Sequence, residues 1–287
     1  KAKDLVRMST ARAAELRPLA TGKMAMNKTA IVVGGGAAGM TAALSLAGQG
    51  FPVHLVEKSA ELGGNLRALH YSLQDAGIGT PLAANGDGRL QSPQEFLREL
   101  VGKVESHPLI RVHRETVLRR TSGFMGNFSS TLTSPDGLVE RARVEHGVAV
   151  LAVGGVEYRG SEYAYGQDPR ILTQTEFEGL LAGGAAPSDV AMILCVGPAE
   201  KYCGRICCTS ALKNAMVLKA RNPEARITIL YKDIRTYGFK ERIYRNALDA
   251  GIVFIRYQDG REPQVDTANG TLSVSAWEEI LGRQVAL

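Results

Sequence analysis

The sequence has few cysteines, few aromatic residues and no long apolar run, and each shortage excludes a class of protein. Four cysteines in 287 residues do not make a disulfide scaffold. Aromatic residues are 6% of the chain and the basic residues are not clustered, so a net charge of +5 does not indicate a nucleic-acid surface. No apolar run approaches the roughly 20 residues that cross a bilayer, and no secretory signal pattern begins the chain. We therefore expect a soluble, cytoplasmic protein.

Glycine is abundant, and it organises the segment from Thr29 to Glu57. An apolar β-branched run leads into Gly34, Gly36 and Gly39, an alanine-rich helix follows, and a second apolar run ends at Glu57. The three glycines allow a tight turn, a close approach of pyrophosphate and close helix packing, in that order. The phosphates would lie at the helix N-terminus, and Glu57 would accept hydrogen bonds from ribose hydroxyls. This pattern favours dinucleotide binding over a purely structural turn.

The residues after Glu57 indicate which dinucleotide binds. Gly63 and Gly64 follow shortly and form a second flexible backbone segment close to the ribose and pyrophosphate. An acid followed by a Gly-Gly pair is typical of FAD-binding domains. FAD is therefore the preferred ligand, and NAD(H) is the alternative.

The middle of the chain predicts several further elements. Pro18 ends an N-terminal helix, residues 80–90 form a polar loop, and Ser92 caps a helix that starts with proline. The segment IRVHRETVLRRTSGFMGNFSSTLTS alternates like an antiparallel strand pair, and the Asp-Gly pair at 136–137 predicts a turn before another strand. Residues 144–155 predict a buried strand that returns to the first domain and ends in glycines beside the cofactor; an ordinary core strand is the alternative.

A second strand–helix–strand unit follows residue 188, in DVAMILCVG, TSALKNAMVLKAR and RITILYKD. The fold class is therefore α/β, with two Rossmann-like doubly wound domains. We expect a connector helix at 1–26, an FAD-binding domain at 27–160, a linker at 161–188 and a second domain at 189–287. Because the sequence starts at Lys1 rather than methionine, we expect it to be a fragment of a longer chain.

All the cysteines fall in the turn after the first strand of the second unit, where a nicotinamide-binding domain would carry glycines. They are Cys195, Cys203, Cys207 and Cys208. Four thiolates converging between a strand and a helix favour a metal site, and they can complete a [4Fe–4S] cluster. Zinc, a redox disulfide such as Cys203–Cys207, and inert packing are the alternatives.

The chain resembles the A-subunit family of heterodisulfide reductase, with its relatives in quinone-interacting membrane-bound oxidoreductase complexes. The segments that carry the resemblance are GGGAAGMTAAL, LGGNLR, GFMGNF, YGQDPRILTQTEFE, CVG followed by YCGRICC, ALKNAMVLK, and ILYKDIRTYGFKE with FIRY. They extend over essentially the whole chain. The resemblance implies a fold like that of thioredoxin reductase, with FAD in the first domain and a [4Fe–4S] cluster near the flavin.

The resemblance also implies roles for individual residues. The FAD would be lined by Gly34, Gly36, Ala37, Ala38, Gly39, Glu57, Lys58, Gly63, Gly64, Asn65, Leu66 and Gly154. The four cysteines would be the cluster ligands. Lys213 would be catalytic, because an ammonium near the flavin can stabilise its anionic reduced form; a solvated helix lysine is the alternative. Asp233 would stand where a ribose-binding acid stands in an NAD domain, and the segment up to Lys240 would be a packing or partner surface.

The implied function is that of an FAD-dependent oxidoreductase that passes electrons between flavin and cluster toward partner iron–sulfur subunits. Partners would also include disulfide-reducing or dehydrogenase subunits, and a homodimer is possible. One alternative is a pyridine nucleotide–disulfide-type oxidoreductase that uses a cysteine dithiol. The other is a scaffold subunit with few cofactors.

Overall fold

A computed structural model of the chain describes residues 1–18, 22–74, 92–198 and 203–287, so the loop predicted at 80–90 lies outside the described residues. Its helices are α1 (Ala2–Ala14), α2 (Ala37–Gly48), α3 (Pro93–Ser106), α4 (Gln174–Ala182), α5 (Ile206–Arg221) and α6 (Glu241–Asp249). Its strands are β1 (Ala30–Val33), β2 (Val53–Val56), β3 (Ile110–His113), β4 (Val117–Phe124), β5 (Asn127–Thr133), β6 (Glu140–His146), β7 (Val148–Leu151), β8 (Asp189–Ile193), β9 (Arg226–Tyr231), β10 (Val253–Arg256), β11 (Gln264–Asp266), β12 (Ser273–Glu278) and β13 (Arg283–Ala286).

The first unit is built on a parallel sheet with the strand order β3-β2-β1-β7. The central strand β1 is apolar throughout because both of its faces are covered. On one face, Met40 and Ala43 of α2 and Val104 of α3 belong to one buried core with β1 and β2. On the other face, the antiparallel sheet β4-β5-β6 packs through Leu132 and Val144. This sandwich fixes the end of β1, where the glycine turn begins.

The second unit repeats this layout. Its parallel sheet has the order β10-β9-β8, and an antiparallel sheet β11-β12-β13 follows. The core contains Leu212 and Leu218 of α5, Ile243 of α6, and Phe177 and Leu181 of α4. The predicted pair of Rossmann-like α/β units is therefore confirmed. The domain boundaries stay predictions.

Two helix ends follow the predicted signals. In α3, the Ser92 hydroxyl accepts the Glu95 N–H at 3.1 Å, and the Glu95 carboxylate accepts the Ser92 N–H at 3.0 Å. This reciprocal pair is a capping box, and it places Pro93 at the first helical position. The N-terminal helix α1 ends before Pro18 as predicted, and every residue of α1 is exposed.

None of the helices in the described ranges has the length and apolar character needed to cross a membrane.

Two strand predictions need correction. The segment 110–134 contains the predicted hairpin in β4 and β5, but its first part, β3, is a parallel strand of the main sheet. The segment 144–155 is divided between β6 and β7 at Gly147, where a Cβ would stand 1.9 Å from the Asn27 carbonyl oxygen. The predicted return to the first domain is confirmed, because β7 pairs with β1. The predicted burial is wrong, because β7 is an edge strand and Leu151 is 75% exposed.

Candidate functional site

The turn after β1 contains three glycines whose surroundings differ. Gly34 has a φ of +110°, and a Cβ there would stand 2.2 Å from the Ala152 carbonyl oxygen. At Gly39 a Cβ would stand 1.8 Å from the Gly34 carbonyl oxygen. Gly36 differs, because a Cβ there would meet no described atom within 4 Å. Gly34 and Gly39 are therefore required by packing, while Gly36 leaves an open approach to the backbone.

This open approach lies at the start of α2. Gly36 is the N-cap residue of the helix, and none of the described side chains caps it. The N–H groups of the first turn, which includes Ala37 and Ala38, therefore face an open space at the positive end of the helix dipole. Such a glycine cradle fits the pyrophosphate of a dinucleotide.

The second glycine segment lies directly beside the first. The Gly63 N–H donates to the Gly35 carbonyl oxygen at 2.8 Å, and the Asn65 side-chain amide donates to the Gly155 carbonyl oxygen at 2.8 Å. Gly63 and Gly64 both have positive φ, at +122° and +50°. The structure therefore brings together the glycine turn, the 63–66 segment and the end of the β7 return.

The remaining predicted FAD-lining residues surround these segments. Lys58 is exposed directly after β2. Leu66 is partly buried against the core of the first unit. Gly154 has a φ of +68°, and a Cβ there would meet no described atom within 4 Å. The predicted set is thus assembled at one end of the parallel sheet.

Glu57 directly follows β2 and supports the glycine turn. Its buried carboxylate accepts the Gly35 N–H at 2.7 Å and the Ser59 N–H at 2.8 Å. Each carboxylate oxygen has a second lone pair, so it can still accept a ribose hydroxyl. Sequence reasoning missed Gly35, whose Cβ would stand 2.5 Å from Leu62 and 2.9 Å from the Glu57 carboxylate. The uninterrupted triple glycine was the available signal.

The cysteines lie at the corresponding turn of the second unit. Cys195 follows β8 with a φ of +62°, and Cys207 and Cys208 lie in the first turn of α5. The sulfur atoms of Cys195 and Cys208 each lie 3.8 Å from the Asp233 carbonyl oxygen. Cys203 is exposed, and all four residues are free thiols. Two of the four predicted ligands are therefore close to the same carbonyl group, and Cys207 is adjacent to one of them.

The two adjacent cysteines differ in acidity. A hydrogen bond between their side chains, helped by backbone N–H groups, lowers the pKa of Cys207 to about 6. The same hydrogen bond, together with burial, raises the pKa of Cys208. Cys207 is therefore the more acidic of the two thiols, and the thiolate is the form that binds metals and attacks disulfides.

The cysteine side chains, as they stand, are not assembled around a metal. Within the described ranges, no group of three or more His, Cys, Asp or Glu side chains is arranged to hold a metal ion. The four thiols are donors of the type that binds an iron–sulfur cluster.

Lys213 occupies a buried position between the two units. Its ammonium donates to the Glu178 carboxylate at 2.6 Å and to the Tyr71 carbonyl oxygen at 3.0 Å. The other Glu178 oxygen accepts the backbone N–H groups of His70 and Tyr71 at 2.7 and 3.0 Å. The reading of Lys213 as a solvated helix lysine is therefore wrong, and its catalytic role stays a prediction.

Sequence reasoning missed Glu178. This residue is only 1% exposed and lies between Phe177 and Leu181 on the buried side of α4. An acid on the apolar side of a helix was the available signal. Glu178 matters because it joins the segment after the second glycine pair to the helix that carries the cysteines.

Comparison with known proteins identifies the family of the first unit. A family model described as FAD binding domain matches residues 29–211, which is more than half of the chain. The chain belongs to this FAD-binding family. The matched residues include the whole predicted FAD site, so the family supports FAD as the cofactor.

The predicted resemblance to the A-subunit family of heterodisulfide reductase is also confirmed. The A-subunit of H(2):CoB-CoM heterodisulfide,ferredoxin reductase from Methanothermobacter marburgensis is 26% identical over an alignment of 380 positions, gaps included, that covers 99% of this chain and 55% of the relative. An iron-sulfur A-subunit of CoB–CoM heterodisulfide reductase from Methanopyrus kandleri is 25% identical, covering 89% of this chain and 51% of the relative. The chain thus spans about half the length of the curated relatives it matches. The prediction of an oxidoreductase agrees with these names and with the FAD-binding family.

Solved structures confirm the predicted fold. Thioredoxin reductase of Lactococcus lactis matches with a TM-score of 0.54 at 15% identity, covering 91% of this chain and 74% of that protein. Thioredoxin reductase of T. acidophilum matches with a TM-score of 0.51 at 14% identity, with the same coverage. At identities this low, the similarity to these structures concerns the fold and carries no conclusion about function.

Proposed function

We propose that this chain is the FAD-dependent electron-transfer part of a heterodisulfide reductase-like complex. The observation that carries the proposal is the open cradle at Gly36, at the uncapped start of α2. Bound FAD would supply the redox chemistry, because a flavin can take up electrons as a pair and release them singly. The protein contributes binding, orientation and electrostatics.

Each part of the cradle has a separate task. The N–H groups at the start of α2 bind the pyrophosphate, and Glu57 accepts the ribose hydroxyls. Asn65, held by the Gly155 carbonyl oxygen, keeps the 63–66 segment close to the end of the β7 return. The backbone at Gly64 and Gly154 has positive φ, which lets both segments turn closely around the ligand.

Lys213 is the proposed catalytic residue. Its buried ammonium lies at the boundary between the two units, where Glu178 and the Tyr71 carbonyl oxygen hold it. The ammonium has three N–H donors, and Glu178 and the Tyr71 carbonyl oxygen take two of them, so the third can donate to negative charge that develops on a reduced cofactor nearby. Glu178 fixes the position of the ammonium and therefore acts as a positioning residue.

The finer proposal concerns the cysteines and the partner proteins. We propose that Cys195, Cys203, Cys207 and Cys208 bind a [4Fe–4S] cluster, and that iron–sulfur subunits exchange electrons with this chain. The thiolate character of Cys207 and the placement of all four residues in one turn support cluster binding. The Methanopyrus kandleri relative is named an iron-sulfur subunit, which supports the cluster, and the names of other relatives include ferredoxin, which supports the choice of partners.

One observation favours a second candidate function. Cys207, whose pKa is lowered by a hydrogen bond from Cys208, adjoins that thiol, and Cys208 and Cys195 both lie 3.8 Å from the Asp233 carbonyl oxygen. An activated thiolate next to other thiols is the arrangement of a redox dithiol. A pyridine nucleotide–disulfide-type oxidoreductase would use these residues without iron, and NAD(P)H would reduce its flavin.

The test is an anaerobic reconstitution of the chain with FAD, iron and sulfide, followed by a visible spectrum and assays for flavin, iron and acid-labile sulfide. We expect one flavin and about four irons per chain, and we expect Cys207→Ser to lose iron while it keeps flavin. Absence of flavin after reconstitution contradicts the proposal. Flavin without iron, together with flavin reduction by NAD(P)H, establishes the second candidate instead.

A further inference from the structure

The peptide group that joins Leu194 to Cys195 is held at both of its ends. Its carbonyl oxygen, directly after β8, accepts the Tyr257 hydroxyl at 2.5 Å. Its N–H is one of the backbone groups that donate to the Cys207 sulfur. Because the peptide is planar and trans, the carbonyl and the N–H point in opposite directions. The hydrogen bond from Tyr257 on one side therefore fixes the direction of the N–H on the other side.

The backbone at this peptide has a conformation that needs support. Cys195 has a φ of +62°, which is uncommon for a residue other than glycine. Such a conformation persists where the surrounding structure imposes it. The Leu194 N–H donates to the Leu230 carbonyl oxygen at 2.8 Å, which ties Leu194 to β9. The Tyr257 hydroxyl adds a second constraint, directly at the peptide that leads into Cys195.

Tyr257 is itself held from several sides. It is buried, and its N–H donates to the Tyr231 carbonyl oxygen at 2.9 Å. The Lys232 ammonium lies 5.5 Å from the centre of its ring, and this ammonium donates to the Asp259 carboxylate at 2.5 Å. The aromatic ring is therefore fixed by contacts other than the one that its hydroxyl makes. Tyr257 brings a donor of fixed position to the Leu194 carbonyl oxygen.

A second tyrosine extends this arrangement. The hydroxyls of Tyr163 and Tyr257 share a hydrogen bond. A hydroxyl has one hydrogen to donate, and Tyr257 donates its hydrogen to the Leu194 carbonyl oxygen, so Tyr163 is the donor between the two hydroxyls. Tyr163 and Ala164 both have positive φ, at +57° and +60°. The path from Tyr163 through Tyr257 thus joins two segments of unusual backbone conformation.

The direction of this peptide matters for the thiols beside it. An N–H that points at a sulfur atom stabilises the thiolate, which is the form that binds metals and attacks disulfides. If the peptide turned away, the Leu194 carbonyl oxygen would lose its donor and the Cys207 sulfur would lose one of its own. The Cys195 sulfur would also leave its place 3.8 Å from the Asp233 carbonyl oxygen. Cluster binding and dithiol chemistry both need these thiols to face the same turn.

We propose that Tyr257 is a positioning residue of the cysteine turn, whose hydroxyl directs the Cys195 N–H toward the Cys207 sulfur. Tyr163 orients the Tyr257 hydroxyl. This inference rests on the proposed function, in which the cysteines act as cluster ligands or as a redox dithiol. It adds two residues that act through a peptide group and are not among the predicted FAD-lining residues.

The experiment measures how fast iodoacetamide alkylates each cysteine of the FAD-reconstituted, iron-free chain under anaerobic conditions, with the sites resolved by mass spectrometry. The exposed Cys203 is the reference within the same molecule. Tyr257→Phe keeps the ring and removes the hydroxyl. It should slow alkylation of Cys207 relative to Cys203 about threefold or more, because a thiolate loses one hydrogen bond. The amino analogue 4-aminophenylalanine at position 257 returns an N–H donor and should restore the wild-type ratio.

Two further variants test the path. Tyr244→Phe is the matched control, because its hydroxyl belongs to the same unit and bonds to Tyr231 rather than to the cysteine turn. It should leave the ratio of the two rates within about 1.5-fold of the wild type. Tyr163→Phe alone keeps the donor to the carbonyl oxygen and should slow Cys207 less than Tyr257→Phe does. Added to Tyr257→Phe, it should cause no further slowing, because the two hydroxyls act in one path.

Three outcomes overturn the positioning proposal. The ratio is unchanged in Tyr257→Phe, or Tyr244→Phe lowers it as much, or 4-aminophenylalanine fails to restore it. The FAD affinity of every variant is measured in parallel by flavin fluorescence. Because these rates are obtained without iron, their failure concerns Tyr257 alone. A wild-type chain that binds no FAD, or that after reconstitution shows neither iron nor flavin reduction by NAD(P)H, contradicts the proposed function itself.

Discussion

The two units share a layout but differ at the turn after their first strand. The Gly34 N–H donates to the Val56 carbonyl oxygen at 2.8 Å, and the Leu194 N–H donates to the Leu230 carbonyl oxygen at 2.8 Å. Leu194 therefore corresponds to Gly34, and Cys195 corresponds to Gly35. In the first unit the turn presents bare backbone, while in the second it presents a thiol. The buried strands and helices set the layout, and a few residues in the turn set the chemistry.

The same comparison corrects the prediction that Asp233 stands where a ribose-binding acid stands in an NAD domain. By strand register, the residue that corresponds to Glu57 is Tyr231, which follows Leu230 as Glu57 follows Val56. Asp233 lies two residues further on, pairs with Arg235 and offers its carbonyl oxygen to two thiols. At the positions in register, the second turn thus has Val196 in place of the open Gly36 and Tyr231 in place of Glu57.

The largest expected effect concerns packing at the glycine turn. Gly39→Ala would place a methyl group 1.8 Å from the Gly34 carbonyl oxygen, so we expect a loss of about 3 kcal/mol or more in the free energy of unfolding. Gly48→Ala in the same helix is the control, because its Cβ would meet no described atom within 4 Å, and it should be neutral or slightly stabilising. Urea unfolding followed by circular dichroism measures both. Equal stability of the two variants would show that the turn can relax.

The next effect concerns the buried ion pair of Lys213 and Glu178 between the two units. Lys213→Met leaves the Glu178 carboxylate buried without its cation, so we expect a loss of about 3 kcal/mol in the free energy of unfolding. Adding Glu178→Gln should restore part of this loss, because the amide oxygen can still accept the two backbone N–H groups. The control is Arg226→Met, which breaks the exposed Arg226–Asp189 pair and should cost less than about 0.5 kcal/mol. If Lys213→Met and Arg226→Met lose similar amounts of unfolding free energy, the assignment of Lys213–Glu178 as a buried ion pair between the units is contradicted.

A smaller effect is the dependence of stability on pH. It is expected in the first unit, because all five histidines of the chain lie there. Burial, the neighbouring His54 and Arg111 lower the pKa of His113 from 6.5 to about 4. The unfolded chain therefore binds a proton below pH 6.5 that the folded chain does not bind until about pH 4. Stability should fall by about 1–2 kcal/mol as the pH decreases through this interval, after allowance for partial exposure.

The control for this pH effect is a substitution in the same unit that removes no titratable group. His113→Gln should flatten the pH dependence of the unfolding midpoint, whereas Leu138→Ala, at a side chain that is 84% exposed, should leave its slope in place. The measurement is urea unfolding at several pH values between 4 and 7. An unchanged slope in His113→Gln would assign the pH dependence to other groups.

Local patterns in the sequence were sufficient to predict much of the fold and the glycine site. The spacing of Gly34, Gly36 and Gly39 predicts the turn, and the constraint on Gly39 is local because it comes from the Gly34 carbonyl oxygen. The constraint on Gly34 comes from the distant Ala152 carbonyl oxygen and could not be predicted from local sequence. The role of Glu178 could not be predicted, since its partners Tyr71 and Lys213 are far away along the chain. The exposure of β7 was missed for a similar reason, because edge position depends on which strands pair. The antiparallel sheet from β11 to β13 has short, polar strands that carry little periodic signal.

The most direct test of the account is the dissociation constant for FAD, measured by flavin fluorescence on matched variants of the two turns. Gly36→Val adds a side chain at the open cradle of the first turn, and Cys195→Ser changes the corresponding turn of the second unit. We predict at least tenfold weaker FAD binding for Gly36→Val, about 1.4 kcal/mol or more, with an unchanged unfolding midpoint. Cys195→Ser should bind FAD as the wild type does. Wild-type affinity in Gly36→Val, or a comparable loss in Cys195→Ser, would contradict the assignment of FAD to the first turn.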